Sequence, residues 1–166
     1  MAGDVDFGEL MQRAERVGSL LKERRETVAV AESSTGGLIA ASLLGVAGAS
    51  AYFLGGAVVY TTHARQALLG ITDADMTGMR SSSEPYAQFL TRRLRERFPC
   101  DWALSETGAT GPKGNRYGDA AGHSCIAVGG LKDAVMTLET GSADRVGNMQ
   151  VFASTALGFL LKQLGE

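Results

Sequence analysis

A short polar turn between an apolar strand and an apolar helix constrains the fold of this chain most strongly. Residues Thr27–Val30 include three β-branched side chains, and Leu38–Leu44 are rich in Ala and Leu. The segment between them, Ala31–Gly37, contains two serines, a threonine and two glycines. Serine and threonine cap helix N-termini, where free N–H groups and the helix dipole attract anions. The pattern predicts a strand, a turn and a helix, and the turn is either an anion-binding loop or only a capped connection.

Strand and helix patterns alternate along the first two-thirds of the chain. Helices are predicted at residues 7–25, 36–45, 64–69 and from Ser83 onward, and strands at 27–31, 53–60 and 101–106. A pair of strands at 124–128 and 134–139 and a last helix at 143–164 follow. This order predicts an α/β fold, a three-layer α/β/α sandwich with a mixed sheet and helices on both faces. Residues 1–166 are expected to form a single domain.

Composition argues against several classes of protein. The formal net charge of −2 gives no basic surface of the kind that nucleic-acid-binding proteins carry. Cys100 and Cys125 are far apart in sequence and form no metal-binding pattern. No apolar run approaches the length of a membrane-spanning helix. We therefore expect a cytoplasmic protein with no bound metal and no nucleic-acid or membrane partner.

Three polar loops follow predicted strands, at Ser33–Gly37, Tyr60–Arg65 and Thr107–Asn115. In open α/β sheets, ligands bind beyond the carboxyl ends of the strands. We therefore expect these loops to converge on one polar cavity.

The loops resemble, in chain order, the motifs of the CinA C-terminal family, whose enzymes are nicotinamide mononucleotide deamidases. The matching motifs are AES-x-TGG at Ala31–Gly37, a GSSA-like turn at residues 48–51, F-x-x-G-x-V-x-Y at Phe53–Tyr60, a VSE-like helix start at Ser83-Glu84, a TGIAGP-like loop at Thr107–Pro112 and a G-x-R segment at Gly141–Arg145. The ordered set spans nearly the whole chain. Because the pyrophosphatase-like domain of longer relatives is absent from this sequence, the chain resembles the stand-alone form.

The resemblance implies hydrolysis of a nicotinamide carboxamide to a carboxylate and ammonia, without a metal or cofactor. It points to Ser50 as the nucleophile, to Tyr60 and a nearby lysine as its activators, and to Thr107 in the same site. It also implies a homo-oligomer with a small-molecule nucleotide or amide substrate. The residues expected to bind that substrate are Ser33, Ser34, Thr35, Gly36, Gly37, Gly108 and Arg145.

The sequence departs from the family at the lysine position, which holds Arg65. Arginine does not give up its proton in proteins, so Arg65 can bind a phosphate or an oxyanion but cannot be the general base. Either His63 takes the proton, or Tyr60 does so beside Arg65, or the site has lost hydrolysis and only binds a nucleotide or another anion. The altered loop at Lys113–Asp119 adds the alternative of a different amide substrate.

Two acidic residues, Glu32 and Glu106, stand next to the predicted loops. Each could face the positively charged pyridinium of a substrate or pair with an arginine, and the pairing is favoured. A structural role is expected for His123, which lies near a strand start.

Overall fold

The computed structural model describes residues 6–166 as helices packed on one sheet. The helices are α1 (Phe7–Arg24), α2 (Leu38–Leu44), α3 (Thr62–Leu69), α4 (Glu84–Arg97) and α5 (Arg145–Gln163), and the strands are β1 (Val28–Glu32), β2 (Phe53–Val58), β3 (Trp102–Ala109), β4 (His123–Gly130) and β5 (Ala134–Glu139). Single turns of 3-10 helix occur at Ala49–Ala51 and Ala74–Met76.

The five strands form one mixed sheet in the order β2-β1-β3-β4-β5. Strands β1, β2 and β3 are parallel, whereas β4 and β5 continue the sheet in antiparallel fashion. The carboxyl ends of β1, β2 and β3 therefore meet at one edge of the sheet. The loops that follow these three strands are the loops that the sequence predicts to converge.

Helices cover both faces of the sheet. On one face, apolar residues of α1, α2 and α5 pack against Val30, Leu104 and Ile126 of the sheet. On the other face, Leu90 and Leu94 of α4 pack against the small residues Ala29 and Ala103. The predicted three-layer α/β/α class is confirmed. Within residues 6–166, no helix combines the length and the apolar composition needed to cross a membrane.

Local interactions explain where elements differ from the predicted bounds. Helix α3 begins two residues early because the Thr61 hydroxyl accepts a hydrogen bond from the Ala64 N–H at 3.0 Å. Strand β3 extends into the predicted loop, because Thr107 pairs with Cys125 and Ala109 with His123 across the antiparallel ladder. Helix α2 begins after Gly37, whose φ of 103° ends the preceding turn.

Candidate active site

A cavity of about 420 Å³ lies at the edge where the parallel strands end. Ser33 follows β1 and Tyr60 follows β2. Thr107 and Gly108 are among the last three residues of β3. The remaining wall comes from α3 and from two loops, through Val59, Thr61, Thr62, Arg65, Ser81, Ser82, Tyr86, Asn115, Arg116 and Tyr117. The lining is rich in hydroxyl groups and carries two guanidinium groups. It suits an anionic or polyhydroxylated ligand.

A second cavity of about 230 Å³ adjoins the first. Both cavities are lined by Tyr60, Gly108 and Asn115, and the second adds Ser34, Lys113 and Arg145. Arg145 is the first residue of α5, so the start of this last helix lies at the sheet edge. The two cavities form a continuous polar surface with Tyr60 at their junction.

Tyr60 is held by Arg145. The guanidinium donates one hydrogen bond to the Tyr60 hydroxyl at 3.3 Å and another to the Gly111 carbonyl at 2.6 Å. The Tyr60 side chain is 58% exposed, so its hydroxyl is accessible to a ligand. The structure thus brings together the predicted tyrosine and arginine although they are 85 residues apart in sequence.

Arg65 projects from α3 toward the larger cavity. Its Nη1 donates to the Ser81 hydroxyl at 3.1 Å, and its guanidinium lies 5.9 Å from the centre of the Tyr86 ring. Its Nε is buried and finds no hydrogen-bond partner among residues 6–166. Arg65 therefore lines the cavity with its guanidinium group, while its Nε stays buried in the wall.

The turn after β1 is stabilised by two buried carboxylates. Glu106, which is 0% exposed, accepts from the Ser33 N–H at 3.2 Å, from the Thr35 N–H at 2.9 Å and from the Ser34 hydroxyl. Glu32, which is 1% exposed, accepts from the N–H groups of Ile39 and Ala40 at 2.8 and 3.0 Å. These carboxylates accept hydrogen bonds from the backbone N–H groups that an anion-binding loop would present to a ligand.

Neither alternative for the two acids, a pyridinium contact or an arginine pair, matches the structure. Both side chains face inward and accept from the turn itself, with the Thr35 hydroxyl at 2.7 Å from Glu32 and 2.9 Å from Glu106. Burial raises the pKa of Glu32, although the hydrogen bonds from Ala40, Thr35 and Ile39 oppose that shift. The pattern E-S-S-T could have indicated this role, since acidic side chains favour helix N-termini.

Only some of the residues in this turn that were predicted to bind substrate line a cavity. Ser33 and Ser34 line the cavities, whereas Thr35 is 0% exposed and serves the turn. Gly36 and Gly37 are absent from both cavity walls, and their φ angles of 65° and 103° turn the chain into α2. Of these five residues, only the two serines line a cavity.

Ser50 lies at the opposite end of β2 from Tyr60. It belongs to the 3-10 turn that precedes Phe53, and Phe53 pairs with Val28 at the start of β1. A strand rises about 3.3 Å per residue, so roughly 20 Å separates Ser50 from Tyr60. Ser50 is exposed, and the Lys22 ammonium at the end of α1 donates to the Ala47 carbonyl just before this turn. Within one chain, Ser50 does not reach the cavity, because it precedes the strand that Tyr60 follows.

His63 is exposed in the first turn of α3 and lines neither cavity. Among residues 6–166, His63 makes no hydrogen bond to Tyr60 or Arg65, and its exposure is that of a solvent-facing helix residue.

Sequence reasoning missed a polar cluster on the far wall of the larger cavity. Arg80 binds the Asp119 carboxylate through two nitrogens at 2.6 and 3.1 Å, and Asn115 donates to the same carboxylate at 2.8 Å. The guanidinium groups of Arg80 and Arg116 lie 5.2 and 5.1 Å from the centre of the Tyr117 ring. No local pattern connects positions 80 and 119, so only the fold could reveal this pair.

The pKa of Tyr117, which lines the larger cavity, is lower than that of an ordinary tyrosine. A hydrogen bond from Arg116 at 3.0 Å lowers its pKa, with further lowering by Ser81 and by the charges of Arg116 and Arg65, while partial burial opposes the shift. A phenol of this kind exchanges its proton more readily than an isolated tyrosine.

His123 supports the cavity from behind. Its Nε2 lies 2.8 Å from the Ser82 carbonyl and its Nδ1 lies 2.5 Å from Glu139, while the Ser82 N–H donates to the Thr107 hydroxyl at 3.1 Å. Burial lowers the pKa of His123, but hydrogen bonds to Glu139 and Ser82 and the charges of Glu139 and Asp119 outweigh it, so the net pKa is raised. The structural role expected for His123 fits this arrangement.

The raised pKa of His123 predicts a pH-dependent contribution to stability. The protonated form is favoured in the folded state, so the contribution is complete below about pH 6.5 and is lost as pH rises through the folded pKa. We expect the unfolding free energy of wild type to exceed that of His123→Gln most at pH 5.5, and by progressively less toward pH 8.5. Urea unfolding of both proteins across this range measures the difference, and a difference that grows with pH would contradict the assignment.

Comparison with known proteins identifies the family. The CinA C-terminal domain profile matches residues 10–164. A CinA-like protein of Chlorobium limicola is 38% identical over 148 residues, covering 86% of this chain and 34% of that protein. A CinA-like protein of Chlorobaculum tepidum is 38% identical over 157 residues, covering 92% and 37%. The chain thus spans about a third of the length of these curated relatives.

Solved structures show the same fold. The CinA superfamily protein of Escherichia coli superimposes with a TM-score of 0.87 at 21% identity, covering 98% of this chain and 95% of that one. The competence/damage inducible protein of Agrobacterium tumefaciens gives 0.84 at 28% identity, covering 95% and 96%. The chain belongs to the CinA C-terminal domain family.

Proposed function

We propose that this chain is an amidohydrolase that converts the carboxamide of nicotinamide mononucleotide, or of a related anionic amide, to a carboxylate and ammonia. One observation carries the proposal: Tyr60, Arg65, Thr107 and Arg145 surround two adjoining polar cavities at the carboxyl edge of the sheet. The larger cavity, about 420 Å³, falls within the size range of small-molecule sites. A cytoplasmic location is part of the proposal and agrees with the free thiols of Cys100 and Cys125.

Substrate binding in this proposal depends on the two guanidinium groups. Arg65 lines the larger cavity and offers its Nη atoms to the phosphate, because arginine binds phosphate through several donors at once. The hydroxyls of Ser33 and Thr61 line the same cavity and suit a ribose. Arg145, already in contact with Tyr60, provides positive charge for the oxyanion of the tetrahedral intermediate.

The chemical step uses the Ser50 hydroxyl as nucleophile. A second copy of the chain supplies it in this proposal, because Ser50 precedes β2 and does not reach the cavity of its own chain. The Ser50 oxygen attacks the carboxamide carbon. Its proton passes to the Tyr60 oxygen while the Tyr60 proton passes to the amide nitrogen, and the C–N bond breaks to release ammonia. Water then adds to the Ser50 ester, and the carboxylate leaves as the hydroxyl is restored. Tyr60 acts as a proton relay here because Arg65 keeps its proton.

The direct test is ammonia release from purified protein given nicotinamide mononucleotide, with the carboxylate product measured by chromatography. We expect equal amounts of ammonia and nicotinic acid mononucleotide, in proportion to enzyme. No product above the level without enzyme would contradict the proposal for this substrate.

Removing the Arg65 guanidinium is expected to weaken substrate binding more than turnover. A charge-assisted hydrogen bond is worth about 1.5–3 kcal/mol, so Arg65→Ala should raise KM roughly tenfold or more. The matched control is Arg95→Ala, an exposed arginine on α4. A KM unchanged by Arg65→Ala would remove Arg65 from the binding site.

A second candidate function is anion binding without hydrolysis, which the replacement of the family lysine by Arg65 favours. It predicts that nicotinamide mononucleotide raises the melting temperature while releasing no ammonia. In that case Arg65→Lys should introduce turnover. Ammonia release by the wild type would exclude this candidate.

A further inference from the structure

The walls of the two adjoining cavities carry positive charges and no negative ones. Arg65 and Arg116 line the larger cavity, and Lys113 and Arg145 line the smaller one. Among residues 6–166, no aspartate or glutamate lines either cavity. A ligand that extends through both cavities therefore meets one pair of cations in each.

The carboxylates near these walls are engaged within the protein. Asp119 binds Arg80 at 2.6 and 3.1 Å, so these two charges cancel. Glu32 and Glu106 accept hydrogen bonds from the turn after β1, among them one each from the Thr35 hydroxyl at 2.7 and 2.9 Å. In the described part of the chain, none of the four cavity cations forms a salt bridge. Their positive charge therefore favours an anionic ligand.

The loop at residues 113–119, which carries two of these cations, is closed by its own hydrogen bonds. The Asn115 N–H donates to the Asp119 carbonyl at 3.1 Å, and the Asn115 side-chain oxygen accepts from the N–H groups of Tyr117 and Asp119 at 3.0 and 3.1 Å. A Cβ at Gly114 would lie 2.1 Å from the Asp119 carbonyl oxygen, so only glycine fits there. The loop thus holds its cations at the cavities before a ligand binds, which lowers the ordering cost of binding.

The proposed reaction adds a second anionic group to the ligand. The carboxamide of the substrate is neutral, whereas the carboxylate of the product is ionised near neutral pH. Arg145, which donates to the Tyr60 hydroxyl at 3.3 Å, provides positive charge at the reacting carbon in that scheme. The new carboxylate therefore forms in the smaller cavity, where Lys113 supplies a second cation.

We propose that the two cavities form a site for small molecules with two separate anionic groups, a phosphate in the larger cavity and a carboxylate in the smaller one, and that Lys113 selects for the carboxylate. The inference rests on the proposed function and deepens it, because it implies that the acid product binds more tightly than the amide substrate. Lys113 is a specificity residue here and takes no part in the chemical step. The product then inhibits the enzyme until a reaction that consumes the acid removes it.

Calorimetric titration with two ligands that differ in one group tests the proposal. Nicotinic acid mononucleotide and nicotinamide mononucleotide carry the same phosphate, and only the first carries a carboxylate. Both are titrated into Ser50→Ala, so that the amide is not consumed. We expect the Kd of the acid to be about tenfold lower than that of the amide or less, because a hydrogen bond to an ionised group is the stronger one. Equal Kd values would overturn the proposal.

A second substitution in the same background assigns the effect to the loop. Lys113→Ala should raise the Kd of the acid about tenfold and leave that of the amide within about twofold, and Lys113→Arg should retain tight binding of the acid. The matched control is Lys162→Ala, an exposed lysine in the last turn of α5, which should change neither value. A Kd of the acid that is unchanged by Lys113→Ala would overturn the assignment.

Failure of this inference and failure of the proposed function give different results. Wild-type protein that releases ammonia while the acid and the amide bind equally would refute the two-anion site and leave the function intact. Tight, Lys113-dependent binding of the acid by a protein that releases no ammonia would refute the function and leave the two-anion site intact.

Discussion

Ammonia release is expected to fall at least about a thousandfold when Ser50 is replaced by alanine, since loss of the nucleophile removes the covalent route. Ser50 is exposed in a single 3-10 turn before β2. Its replacement should therefore change the unfolding free energy by no more than about 0.5 kcal/mol. Turnover and urea unfolding, measured on the same preparation, separate loss of chemistry from loss of fold.

The matched control for Ser50→Ala is Ser19→Ala, which removes an exposed hydroxyl on α1. It should retain wild-type activity. If Ser50→Ala also retained activity, the nucleophile would have to be another hydroxyl. Ser33, which lines the larger cavity in the same chain, would be the next to test.

The largest loss of stability is expected from Glu106→Ala. The Glu106 carboxylate accepts hydrogen bonds from Ser33, Ser34 and Thr35 at 0% exposure. Removing it leaves several buried donors unpaired, each costing about 1–3 kcal/mol before relaxation. We expect the unfolding free energy to fall by about 3 kcal/mol or more and the melting temperature by roughly 10 °C.

Two variants define the specificity of that effect. Glu106→Gln keeps the shape and one acceptor oxygen, so its loss should be smaller than that of alanine. Glu15→Ala removes an exposed carboxylate from α1 and should change stability by no more than about 0.5 kcal/mol. A Glu106→Ala protein as stable as Glu15→Ala would show that the two buried carboxylates do not hold the turn.

The fold followed from local patterns because each element carries its own signal. The β-branched run before Ala31 predicted β1, and the apolar face containing Leu10, Val17 and Leu21 predicted α1. The rule that ligands bind beyond parallel strands correctly placed Ser33, Tyr60 and Thr107 on one cavity. These inferences need only the order of the elements and the direction of the strands.

The contacts that the sequence could not reveal depend on three-dimensional proximity. Arg80 meets Asp119 across 39 residues, and Glu106 meets Thr35 across 71. The motif that contains Ser50 was recognised, but a motif does not state which end of a strand it occupies. Because Ser50 precedes β2 and Tyr60 follows it, their separation became visible only with the strand pairing of Val28 and Phe53.

The shared site can be tested most directly by complementation between two inactive variants, Ser50→Ala and Tyr60→Phe, co-expressed with different tags. Random pairing makes about half of the dimers mixed, and each mixed dimer holds one complete site, so the preparation should recover about a quarter of wild-type ammonia release. Each variant alone should stay at background. Activity of the co-expressed pair no higher than that of the separate variants would contradict a site built from two copies of this chain.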